Sequence, residues 1–224
     1  MTEEQKQLGN ECRVRRVSLR ERKKERTRQA IADAAITMFL SDGFDAVSTA
    51  DVAAAVEISK PTLFRYFPTK EDLVVHRFAD HIGEHARVVR GREPGERPLA
   101  ALHRHFLAGL DRRDPVTGLN AHPQVLAFHR LVFETPALAS RVSAFAASDV
   151  DLLTAALREA VPGDASIRPR VLATHVVAAW HLLARTNWAA LDAGVADAEA
   201  YARAIADAEV AFALLAGGAA GADY

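Results

Sequence analysis

The chain has 224 residues, half of them apolar and a quarter charged, enough to fill the core of one large domain or two small ones and to exclude wholesale disorder. Its single cysteine, Cys12, excludes a disulfide framework and an all-cysteine zinc site. The net charge is only −1, yet residues 1–30 hold ten bases against five acids and residues 31–75 hold three against seven, so the basic end reads as an arm for a polyanion, with a solvated tail as the competing reading.

In chain order, strand patterns are almost absent and helical periodicity recurs, so an all-α fold of about nine helices is expected. Residues 1–17 lack an apolar period and read as a disordered basic arm. Ser18 and Glu21 form a capping-box pattern; Ile31, Ala34, Ala35, Met38 and Phe39 then make an apolar stripe, ended by Gly43. Three caps follow. Ser48 precedes Thr49–Ala55, Ser59 precedes Lys60–Tyr66 with Pro61 in its first turn, and Thr69 precedes a long helix starting at Lys70. About three residues separate the helices ending at Ala55 and starting at Lys60, a helix-turn-helix spacing.

Beyond residue 90, loops at 91–98, 114–122 and 162–166 separate expected helices near 98–113, 123–134, 137–161, 167–193 and 197–216. Residues 217–224 read as a flexible tail. The domains expected are thus 18–68 for the helix-turn-helix and 69–216 for a larger helical body. The longest apolar run, Val171 to Leu183, contains His175 and His181 and is too short to span a membrane; the polar N-terminus lacks a signal-peptide core. A soluble cytoplasmic protein is expected.

The series Phe39, Phe44, Ser48, Val52, Ala53, Ile58, Ser59, then Thr62-Leu63-Phe64-Arg65-Tyr66-Phe67-Pro68 and Lys70-Glu71-Asp72-Leu73, resembles the TetR family of transcriptional regulators over roughly residues 20–75. The resemblance implies an N-terminal DNA-binding module, C-terminal helices that bind an effector and dimerise, and usually repression. In physical terms, Leu63 and Phe67 point inward with Ile58, Val52 and Phe39, and a seven-residue helix needs such neighbours to persist. Its outer side then carries Lys60, Pro61, Thr62, Phe64, Arg65 and Tyr66. Arg65 is the candidate for guanine readout, and Phe64 offers a thymine methyl an apolar contact. Ser48, Thr49 and Lys70 are candidates for phosphate contact. The chain departs from the family at Glu57, where the turn usually carries glycine, and at Pro61 and Phe64.

In the larger body, two apolar rows on 167–193 (Leu172, Val176, Ala179, Leu183; Val177, Trp180, Ala184, Trp188) and a small-residue row on 197–216 (Ala204, Ala208, Ala211, Leu215, flanked by Ile205 and Phe212) lead to an expected four-helix homodimer interface. A twofold dimer requires a roughly palindromic operator. Phe78, His81, Phe106, Phe128, His129, Phe133, Trp180 and Asn187 are candidates to line a pocket for a small hydrophobic effector. The stretch His129–Leu138 also resembles the C-terminal domain of actinobacterial-type TetR regulators. His81 with His85 and His103 with His105 invite a metal reading, but a third ligand is missing, so no metal or cofactor is expected. No nucleophile-elbow or phosphate-cradle motif appears, so catalysis is not expected either. The expected function is a ligand-released repressor binding DNA as a homodimer. The alternatives are an all-α enzyme or small-molecule carrier with an incidental basic arm, and a sequence-indifferent nucleic-acid binder.

Overall fold

The computed structural model describes residues 19–79 and 81–218. The arm 1–17, Ser18 of the expected capping box, and 219–224 lie outside the described residues. Among these, the protein is all-α: ten α-helices and one 3-10 turn. Helix α1 (Leu19–Asp42) buries Ile31, Ala32, Ala35, Ile36 and Phe39, and ends at Gly43, whose N–H bonds the Phe39 carbonyl at 3.1 Å. Helices α2 (Thr49–Ala55) and α3 (Lys60–Tyr66) begin at the caps that the sequence signals.

The single long helix expected from Lys70 is two helices, α4 (Asp72–Ala79) and α5 (Glu84–Arg90). The first turn after Thr69 is tightened into i→i+3 bonds, Leu73 N–H to Lys70 O and Val74 N–H to Glu71 O, so α-helical geometry starts at Asp72. Gly83 causes the break. It sits at φ +75°, where a β-carbon would also meet Leu152 Cδ1 at 3.2 Å, and its N–H is taken by Asp149 Oδ1 at 2.8 Å. His81 therefore lies in the break and not on a helix shared with His85.

Helices α6 (Pro98–Asp111), α7 (Pro123–Glu134), α8 (Pro136–Ala160), α9 (Arg168–Asp192) and α10 (Asp197–Gly218) form the body, with the 3-10 turn Pro115–Thr117 between α6 and α7. Proline stands in the first turn of α6 to α9, where no intrahelical N–H bond is lost. Helix α10 runs to Gly218, two residues into the segment expected to be tail.

Two apolar cores hold the molecule. One joins α5, α6, α8, α9 and α10 around Leu102, Phe106, Leu153, Leu157 and Val176. The other joins α1 to α4 around Phe39, Val52, Leu63 and Phe67, and continues through Leu73, Val74 and Val75 to Val132 of α7 and Leu138 of α8. Each such large side chain withdrawn from water contributes about 1.5–3 kcal/mol before entropy is counted.

Both rows on α9 and the row on α10 expected at a dimer interface turn inward instead. Leu172, Val176, Val177, Trp180, Leu183, Ala184, Trp188, Ala204, Ala208 and Phe212 are buried within this one chain. The body needs both faces because α9 is packed on two sides, against α8 and α10. A third face remains open: Val171 and Leu182 on α9, and Val210 and Leu214 on α10, are 41–74% exposed.

Candidate nucleic-acid interface and cavity

The turn between α2 and α3 closes as a Schellman motif, with Glu57 N–H bonding Ala54 O at 3.1 Å and Ile58 N–H bonding Ala53 O at 3.0 Å. That motif requires a left-handed residue, and Glu57 supplies it at φ +54°. Ser48 and Asp51 form a reciprocal capping box at α2, and the hydrogen bond to Ser48 holds the Asp51 carboxyl below its ordinary range. Ser59 Oγ caps α3 by accepting Thr62 N–H at 3.3 Å, and lies 2.9 Å from the Thr62 hydroxyl.

These locks hold α3 with Leu63 and Phe67 fully buried. Lys60, Pro61, Phe64 and Arg65 are exposed; Thr62 and Tyr66 are half-buried at the flanks. Ser48 is exposed and Thr49 half-buried at the start of α2. Lys70 is placed differently from its expected phosphate-facing position. Its ammonium donates to the Phe44 carbonyl and stands 4.4 Å from the Phe44 ring centre and 5.5 Å from that of Phe39, so it braces the module from within. On α1, Arg28 lies 5.1 Å over the Phe67 ring, which ties the end of the basic stretch to the back of α3.

Helix α4 links this head to the body. Its Asp72 accepts Thr69 N–H at 3.1 Å and the Arg141 guanidinium of α8 at 2.8–2.9 Å. Near its other end, Phe78 stacks on Phe128 of α7 at 5.8 Å and lines a cavity of about 280 Å³. Five expected residues, Phe78, His81, His129, Phe133 and Trp180, line this cavity. Three others do not. Phe106 is wholly buried behind Trp180, edge to face at 4.6 Å. Phe128 backs Phe78 from outside. Asn187 is buried and donates to Thr117 O at 2.9 Å, stapling the 3-10 turn to α9. Beside it Gly118, at φ +73°, approaches so closely that a β-carbon would sit 1.8 Å from Ala184 O.

Sequence reasoning missed Val142, Phe145, Asp149, His181 and Arg185, which also line the cavity. Asp149 is buried and holds both Gly83 N–H and His85 Nδ1. Glu84 bridges His105 Nε2 at 2.7 Å and His81 Nδ1 at 2.6 Å, and those bonds hold its carboxyl far below the ordinary range. Burial lowers the His129 pKa to about 4, so its ring is neutral at neutral pH. Burial also lowers that of His181, helped by His85 and opposed by Asp149. Arg185 rests 5.7 Å over the Phe133 ring and makes no ion pair among the described residues. Among those residues no group of three or more His, Cys, Asp or Glu side chains could hold a metal ion, and no helix is long and apolar enough to cross a membrane.

A capped helix-turn-helix presenting a basic second helix, joined by one helix to an all-helical body with an aromatic cavity, defines a DNA-binding regulator. The family model "Bacterial regulatory proteins, tetR family" matches residues 31–76. The HTH-type transcriptional regulator TcmR of Streptomyces glaucescens is 32% identical over 185 residues, covering 77% of this chain and 81% of that protein. Two solved structures share the fold. One is a TetR-family regulator from Streptomyces coelicolor A3, 18% identical with a TM-score of 0.54, covering 86% of this chain and 96% of that one. The other is native NalD, the secondary repressor of the MexAB-OprM multidrug efflux pump in Pseudomonas aeruginosa, 19% identical with a TM-score of 0.54, covering 87% and 97%. The chain belongs to the TetR family of transcriptional regulators. It is accordingly a DNA-binding transcription factor and not an enzyme; such regulators bind DNA operators and small-molecule effectors and are typically dimers.

Proposed function

We propose that the protein is a ligand-released repressor that binds a palindromic operator as a homodimer. The observation that carries this reading is helix α4. One end is tied to the head through Thr69 and Asp72, and its Phe78 walls the cavity, so a molecule lodged there presses on the element that carries α3. A ligand that fits the cavity better when α4 is displaced shifts the population toward heads misplaced for successive major grooves, and operator affinity falls by that differential binding. Arg65 and Lys60 on the exposed side of α3 read bases and phosphates; Ser48, Thr49, Pro61, Thr62, Phe64 and Tyr66 complete the contact surface, while Lys70 supports it from behind. The open face of Val171, Leu182, Val210 and Leu214 supplies the twofold contact.

Titration against a palindrome from the gene's own upstream region, at several salt concentrations, tests the reading. Arg65→Ala is expected to erase discrimination between the palindrome and scrambled DNA, whereas Lys60→Ala weakens both and lowers the salt slope by about one. Equal affinity of the unmutated protein for every duplex would overturn the sequence-specific reading, and no binding would overturn that palindrome as its operator.

A further inference from the structure

We propose that the effector is a hydrophobic organic anion whose apolar body lies among Phe78, Phe133 and Phe145 and whose anionic oxygen is met by Arg185. The inference deepens the reading of this cavity as the effector site and rests on it. It follows from the charges on the cavity wall. Two carboxylates reach it, and both are committed: Asp149 to Gly83 N–H and His85, Glu84 to His81 and His105. Among the described residues, Arg185 is the one permanent cation lining the cavity and no carboxylate answers it.

Arg185 is an exposed residue on the cavity lining, and its guanidinium stays protonated in any protein environment, so it offers a ligand a fixed positive charge. Its planar fork matches the two oxygens of a carboxylate through paired hydrogen bonds. A cationic ligand would lie against Arg185 as a like charge, and each oxygen of Asp149 and Glu84 already has a hydrogen-bonding partner within the protein. His181 is one helical turn before Arg185 on α9 and lines the same wall, placed to give the ligand oxygen a second donor. The aromatic side chains from α4, α7 and α8 call for a flat body, of a size set by a cavity of about 280 Å³.

Calorimetric titration with three probes on one ring frame separates the possibilities: 2-naphthoate, its neutral methyl ester, and 2-naphthylmethylammonium. The expected order places naphthoate about tenfold or more tighter than either of the others, in line with a charge-assisted pair. Arg185→Gln is expected to bring naphthoate down to the ester's affinity and leave the ester unchanged, while Arg185→Lys restores part of the difference. Sedimentation of both variants shows whether the association state is kept, and the probe order in the unmutated protein decides without them. Equal binding of acid and ester, or tighter binding of the ammonium, overturns the proposal. In that event, loss of binding in Val142→Trp, which fills the cavity, preserves the effector site itself. If no probe binds, or binding survives Val142→Trp, the cavity reading falls together with the proposal.

Discussion

Glu57 occupies a backbone conformation that L-residues seldom adopt, at φ +54°, because the two bonds closing the turn before α3 leave it no other. Left-handed geometry costs a residue with a β-carbon about 1–2 kcal/mol, and glycine returns part of that by making the unfolded chain more flexible. Glu57→Gly should therefore raise the melting temperature by a few degrees and Glu57→Ala should not, which thermal unfolding of both variants checks. His129 gives a second expectation at this scale. Its folded pKa of about 4 lies below the ordinary histidine value, so the unfolded chain takes up a proton first as pH falls. Stability tied to the neutral ring is intact above about pH 6.5 and drains away as pH falls toward 4. His129→Phe keeps the stack on Phe133 at similar volume and should flatten that decline in denaturant melts taken across the window.

Helices were readable where their ends are chemically marked. Ser48 and Ser59 announce α2 and α3, and the structure starts both at the residues those caps indicate. The break between α4 and α5 was not readable, because Gly83 bends the chain in concert with Asp149, 66 positions away. Lys70 escapes sequence reading for a related reason: a lysine beside a cap looks solvated until the fold brings Phe44 above it. The same holds for the cavity. Its aromatic residues announce themselves, whereas Asp149 looks like a surface residue of a long helix until α8 is packed, and His181 and Arg185 stay exposed on α9 and join the lining only through the fold. Helix α4 also yields a test of transmission. Arg141→Ala leaves the buried Asp72 carboxylate without its guanidinium, at a cost of about 1–3 kcal/mol. If that tie carries the signal, the variant should still bind operator, while the ratio of affinities with and without a cavity ligand moves toward one in anisotropy titrations.

Over the whole molecule, apolar surface is shared between two uses. The rows on α9 and α10 that the sequence offers most plainly are consumed by the chain's own core, and the surface left for a second copy is the less conspicuous stripe of Val171, Leu182, Val210 and Leu214. Amphipathic counting cannot separate these, since a helix packed on two sides and one packed on a partner carry similar patterns. A charge at Leu182 or Leu214 touches nothing in the monomer's interior, so Leu182→Glu and Leu214→Glu should keep the helical signal and the melting behaviour of the fold. Both should shift the mass measured by light scattering toward one chain, and weaken operator binding far more than binding of an isolated half-site.

The core beneath α3 does not stop where the head ends, for it runs on through Leu73 to Val75 and into Val132 and Leu138. Transplanting residues 19–68 onto a foreign sensor would thus strip the head of part of its floor. A working hybrid should need its crossover placed so that α4 travels together with the α7–α8 corner, and lineages that exchange sensing halves would have to carry that corner along with the reading helix.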